Sequence, residues 1–157
     1  MKPSIGISEK KIKSSATILT QLLANEMTLY VKTRKAHWNV SGESFMELHK
    51  LYENQYKQLE AYIDEIAERV GKLGHNAIGT LSEFLKFTTI KENPGKNFST
   101  KETLKELLHD HEIIIVELRE QVTIKTENSN DVVTNDFLIG IMEKHESIAW
   151  IVRRYLN

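Results

Sequence analysis

Apolar residues recur at alternating steps of four and three in four long segments, the pattern of helices that each bury one stripe. The first carries Ile12, Ala16, Leu19, Leu23, Met27 and Tyr30, and the second Phe45, Leu48, Tyr52, Tyr56, Leu59, Ile63, Ile66, Val70 and Leu73. The third reads Leu104, Leu108, His111, Ile115, Leu118 and Val122, and the fourth Leu138, Ile141, His145, Ile148, Val152 and Tyr155. No proline interrupts any of them. The pattern predicts an all-α protein: one domain over residues 1–157, a four-helix bundle with an N-terminal extension of about residues 1–8.

Punctuation supports this division. Ser44 precedes Glu47 by three, and Ser99 precedes Glu102 by three, each the spacing of a capping box that opens a helix. The segment NVSGE between the first two stripes is short enough to force an antiparallel hairpin, whereas residues 71–100 form a long crossover. Within it, Thr80 and Glu83 mark another box ahead of Leu81, Phe84, Leu85 and Phe87, which predicts a short extra helix before the KENPGKN turn at 91–97. TENSND, 126–131, is expected to join the third and fourth helices.

Composition narrows the function classes. With 21 basic and 22 acidic residues the formal net charge is −1, so no global field draws the chain to nucleic acid or an anionic membrane. Any such contact must be local. The absence of cysteine excludes disulfides, thiolate metal sites and thiol catalysis. No signal-like h-region opens the chain, and no apolar run is long enough to span a bilayer, so the expectation is a soluble, intracellular protein without a membrane partner.

The chemistry concentrates in residues 36–68. Five whole turns separate His37 from Leu19, so His37 is expected to point inward with the first stripe. His49 lies in the second stripe with Glu53 four residues on; Asp64 and Glu68 repeat that spacing, flanked by Ile63, Ile66 and Ala67, and are expected to lean toward the core. At a rise of about 1.5 Å per residue, His49 and Asp64 are roughly 22 Å apart, too far to share one metal ion. Two antiparallel copies of the helix would bring one copy's His49 and Glu53 opposite the other's Asp64 and Glu68. The dyad would then cross near Gln58 and Leu59, generating two identical sites. Imidazole and carboxylate without thiolate suit Fe(II), Mn(II) or Zn(II), and the carboxylate surplus favours a metal that reaches the trivalent state, hence iron.

The run KTRKAHWNVSGESFMELHKLYENQYKQLEAYIDEIAERV, 32–70, resembles the Dps family of mini-ferritins, through its AHW, LH and DEIAER motifs, and the likeness extends loosely over nearly the whole chain, including DVVTNDFL at 131–138. The resemblance implies a ferritin-like four-helix bundle with a short helix in the crossover, twelve subunits in a hollow shell, and di-iron ferroxidase sites at two-fold interfaces. It implies His37 and His49 as ligands from one chain and Asp64 and Glu68 as ligands from the other. Glu53 stands where the family usually has aspartate. It further implies Trp38 as a radical-trapping candidate, Asp131 and Asp136 as candidates near three-fold pores, and oxidation of Fe(II), preferably by hydrogen peroxide. Storage of ferric oxide and protection of DNA in the cytoplasm, with nucleoid association, would follow.

Competing readings are a DNA-compacting nucleoid protein with little ferroxidase activity, using Lys2, Lys10, Lys11 and Lys13, and a di-iron site inside one bundle built on Glu106 and His109. No His-Glu-x-x-His supports a zinc peptidase. His111 and His145 read as core, and His75 has no assigned role.

Overall fold

The computed structural model describes residues 3–128 and 130–156. Five helices follow in order: α1 (Glu9–Asn39), α2 (Phe45–Lys72), α3 (Leu81–Phe87), α4 (Thr100–Asn128) and α5 (Val132–Leu156). Among the described residues there is no strand.

Side-chain pairings give the directions of the long helices. Tyr30 meets Tyr56 and His37 meets His49, so α1 and α2 are antiparallel. Lys32 reaches Glu106 and Asp110, while Asn25 reaches Glu117, so α4 also runs against α1. Lys144 pairs with Glu65 and Arg69 with Asp131, setting α5 against α2. Helices α2 and α4 are therefore parallel, and the connection between them must travel the length of the bundle. Most expected stripe positions line the core, with Leu19, Leu59, Ile66, Leu138 and Val152 without solvent exposure; Ile114, outside the expected third stripe, is equally buried, whereas Phe45 and Tyr155, expected in the stripes, are exposed.

The crossover is held at two places. Thr80 accepts from the Glu83 amide while the Glu83 carboxylate accepts from the Thr80 amide, the expected box that opens α3. Just beyond α3, buried Asn25 accepts from the Thr89 amide at 2.8 Å and the Thr88 hydroxyl at 3.0 Å, while its own amide donates to Glu117 at 2.9 Å. One side chain thus ties the crossover to α1 and α4.

Two local expectations need correction. Ser99 and Glu102 close their box at α4, but the Ser44 side chain makes no cap bond at α2. Its backbone, at φ −93° and ψ 25°, is not extended as a cap with a reaching hydroxyl requires, because the turn through Gly42 at φ 98° already curls into the helix. The link after α4 is also shorter than TENSND, since α4 continues to Asn128.

Candidate metal centre

His37 lies in the last turn of α1 and His49 in the second turn of α2, side by side across the hairpin. Their rings stack with centroids 3.8 Å apart and planes 23° from parallel. Each ring donates from Nδ1 to the other residue's carbonyl: His37 Nδ1 to His49 O at 2.9 Å and His49 Nδ1 to His37 O at 3.0 Å. The His37 carbonyl belongs to the terminal turn of α1, where backbone acceptors lack helical donors, so His49 also completes that helix end. A carbonyl can only accept, which places the proton of each neutral ring on Nδ1. Both Nε2 lone pairs are then directed elsewhere, the tautomer a metal-binding imidazole needs.

Instead of pointing into the core with Leu19, His37 is half-buried at the edge of the hairpin, as is His49. Tyr56 packs edge-on against His37 at 5.3 Å, and the Arg34 guanidinium lies 4.6 Å from the Tyr56 ring and 5.4 Å from that of Trp38. Trp38 itself is 64% exposed. One turn along α2 from His49, Glu53 is clasped by Lys50 at 2.8 Å and Lys57 at 2.5 Å. Those two hydrogen-bonded ammonium groups hold its carboxyl down at about 2.

Asp64 and Glu68 are exposed, contrary to the expectation that they lean inward. They flank Ile66 by two residues on either side, and two helical steps turn a side chain about 200° from its neighbour, onto the opposite face. Glu68 pairs with Lys72 at 2.9 Å. Because α2 is continuous from Phe45 to Lys72, the separation of His49 and Glu53 from Asp64 and Glu68 stands. Among the described residues no three histidine or carboxylate groups are placed to hold a metal ion within the chain. His37 and His49 come together with Glu53 alongside, while Asp64 and Glu68 lie apart, facing outward. The proposed crossing point also needs adjustment: Gln58 is exposed, but Leu59 is wholly buried in its own bundle and cannot meet a second copy.

The other candidates separate clearly. Glu106 is engaged by Lys32 at 3.0 Å and Asn93 at 2.7 Å, whereas His109 is exposed, so they form no joint site. Asp131 is 1% exposed, accepts from Ser15 at 2.6 Å and Arg69 at 3.3 Å, and caps α5 through the Thr134 amide. Its charge is spent inside the subunit, leaving Asp136 as the exposed pore candidate. Lys10, Lys11 and Lys13 lie on α1, and Lys11 reaches Asn130 at 3.4 Å. Lys2 lies outside the described residues. His75 is exposed, and its amide closes the end of α2 onto Val70 O.

The sequence reading missed Glu26. It is fully buried on α1 and lies 2.6 Å from His145 Nε2, while His145 Nδ1 is 2.8 Å from His111 Nδ1. The two core histidines thus form a hydrogen-bonded chain ending on a carboxylate. Burial, followed by the neighbouring His145, pushes the His111 pKa well below its ordinary value.

Residues 16–157 match the ferritin-like domain family model. A Nostoc protein described as an uncharacterized low temperature-induced protein is 40% identical over 154 residues, spanning 98% of this chain and 86% of its own. DNA protection during starvation protein 2 of Bacillus anthracis is 32% identical over 145 residues, 92% of this chain and 98% of its own. The Dps structure from Vibrio cholerae O1, described as a member of a broad superfamily of ferritin-like diiron-carboxylate proteins, aligns with a TM-score of 0.92 at 28% identity, covering 99% of this chain and 97% of that one. With the bundle, its crossover helix and the AHW and LH histidines in place, the chain belongs to the ferritin-like family, in its Dps branch.

Proposed function

We propose that the protein is a ferroxidase and iron-storing mini-ferritin whose sites are completed between two copies of the chain. The carrying observation is the reciprocal Nδ1-to-carbonyl lock of His37 and His49, which orients both rings and directs both Nε2 atoms away from the backbone. Glu53, ionised between its lysines, adds a carboxylate on the same side of α2. Asp64 and Glu68 of a second copy would supply the remaining oxygen ligands, as their outward orientation allows.

In this reading Fe(II) is the substrate. Two Fe(II) ions each lose one electron, hydrogen peroxide gains both, and its O–O bond breaks to give two hydroxide ions. Pairing the electrons avoids releasing a hydroxyl radical. The carboxylates stabilise the added positive charge and receive protons released as ferric oxide forms. Twelve subunits would enclose the mineral, Asp136 would draw cations toward a pore, and Trp38 would intercept stray oxidant. DNA in the cytoplasm would be protected chiefly by removal of Fe(II) and peroxide. Of the candidate lysines, Lys10, Lys11 and Lys13 lie on α1, which disfavours their use as a mobile DNA-compacting tail.

The test is anaerobic Fe(II) loading followed by peroxide or air, with ferric absorbance and radical trapping, on the parent and on His37→Ala combined with Asp64→Ala. Rapid peroxide-driven oxidation without trapped radical, lost in the variant, supports the reading. Equal rates in parent and variant refute it, and salt-sensitive DNA retention in that case points to the nucleoid alternative.

A further inference from the structure

Peroxide takes two electrons, and a centre holding a single Fe(II) supplies one. Glu53 favours that half-filled state, because a metal ion that uses its carboxylate must first compete with Lys50 and Lys57. The second electron then has to come from the protein, or a hydroxyl radical is released.

Two rings besides their own pack on the paired histidines among the described residues. Phe45 lies 5.0 Å from His49 between centroids, and its bare benzene ring is hard to oxidise. Tyr56 lies edge-on 5.3 Å from His37 and carries a phenol, which can give up an electron and a proton together. Tyr56 does not stand alone. Its ring meets Tyr30 edge-on at 6.2 Å, and Tyr30, Arg34 and Trp38 follow one another at four-residue steps along α1.

Arg34 holds this group together. Its guanidinium donates to the Tyr30 hydroxyl at 2.6 Å and lies 4.6 Å from the centre of the Tyr56 ring, 5.5 Å from that of Tyr30 and 5.4 Å from that of Trp38. A permanent positive charge this close penalises a second positive charge on any of these rings. An indole that loses an electron first becomes a cation, whereas a phenol that loses its proton with the electron ends neutral. The clamp therefore favours tyrosine over Trp38 as the place where oxidation comes to rest.

We propose, resting on the ferroxidase reading, that Tyr56 is the electron donor that completes peroxide reduction when the centre holds one iron, with Tyr30 and Arg34 as its supporting partners. Fe(II) gives one electron and Tyr56 the other, together with its phenol proton. The O–O bond breaks, one oxygen leaving as hydroxide and the other, with the phenol proton, as water. Fe(III) and a neutral Tyr56 phenoxyl remain. A second Fe(II) then reduces the phenoxyl, which takes a proton from water and leaves hydroxide. The sum is two Fe(II) and one peroxide giving two Fe(III) and two hydroxide ions, the same as for a filled pair.

The assembled, iron-free protein is loaded anaerobically with Fe(II), either well below one ion per site or at two per site, then mixed with peroxide and frozen for electron paramagnetic resonance. Ferric absorbance and hydroxyl-radical trapping are followed in parallel. At low loading the parent should give a radical signal that narrows when its tyrosines are ring-deuterated and does not change when its tryptophans are. A merely structural role for Tyr56 would not make the signal follow the isotope. In Tyr56→Phe, which keeps a ring beside His37, the signal should be lost and trapped hydroxyl radical should rise, while an unchanged melting temperature shows that the fold is intact. Tyr30→Phe, which leaves Tyr56 beside His37, should retain the signal. No tyrosine-dependent signal at low loading, or one that survives Tyr56→Phe, overturns the relay, and oxidation at two irons per site then leaves the iron reading standing. No ferric product at either loading refutes the iron reading, and the relay with it.

Discussion

Glu53 is the residue where metal binding and surface electrostatics compete. Lys50 and Lys57 keep it ionised, but any cation that uses it must displace or share those ammonium groups. Replacing either lysine with glutamine should therefore tighten anaerobic Fe(II) binding by about two- to fivefold, the range of one exposed ion pair. Calorimetric titration at low salt checks this, and unchanged affinity would remove Glu53 from the ligand set. The pH sign follows from a depressed carboxyl: its stabilising contribution is present above the unfolded value of 4.5 and lost as pH falls toward about 2. Glu53 consequently keeps its charge through neutral and mildly acidic conditions. The residue types of this centre were legible in the sequence, but the lock between His37 and His49 was not. It depends on how a five-residue hairpin sets the rotation of α1 against α2, which spacing along either helix does not contain.

Between elements, buried polar contacts do what apolar stripes cannot: they choose one alignment. Asn25 supplies the alignment of crossover, α1 and α4. Asn25→Ala strands the Thr89 amide and should destabilise the fold by about 2–3 kcal/mol, seen as a lower denaturant midpoint with protection from hydrogen exchange lost first near residues 88–90. The Glu26, His145 and His111 chain couples α1, α5 and α4 in the same way and adds acid sensitivity. The unfolded His111 titrates near 6.5 and the folded one well below it, so the unfolded state binds the proton first and stability falls as pH drops below about 6.5. The slope from this group is at most about 1.4 kcal/mol per pH unit, until the folded group protonates as well. His111→Asn, whose amide takes the place of Nδ1 and keeps a donor toward His145, should show a smaller fall in melting temperature between pH 7 and 5; an equal fall would assign the acid sensitivity elsewhere. Helix periodicity and the Thr80 and Ser99 boxes revealed these elements in advance, because both signals are local. Glu26 escaped because a lone glutamate in LLANEMTLY reads as part of a solvated face, and the histidine that accounts for its burial lies 119 residues away.

At the scale of the whole molecule, the decisive fact is a length. Helix α2 holds His49 and Asp64 about 22 Å apart, and among the described residues the single chain gathers no three ligands placed to hold a metal ion. If the site is shared across a two-fold axis, one chain's defect can be supplied by its neighbour. His37→Ala and Asp64→Ala should each be nearly inactive when assembled alone. Refolded together in equal amounts, half of the two-fold pairs are mixed, and each mixed pair holds one site with both intact partners beside one doubly defective site. Ferroxidase activity should therefore return to about a quarter of the parent's under random assembly. A control mixture of His37→Ala with His49→Ala should regain none, because both defects fall on the same half of every site. Activity in that control would show that these histidines are not obligatory partners. No recovery in the first mixture, with mixed shells verified by differentially tagged subunits, would place the chemistry inside one chain and overturn the two-fold arrangement.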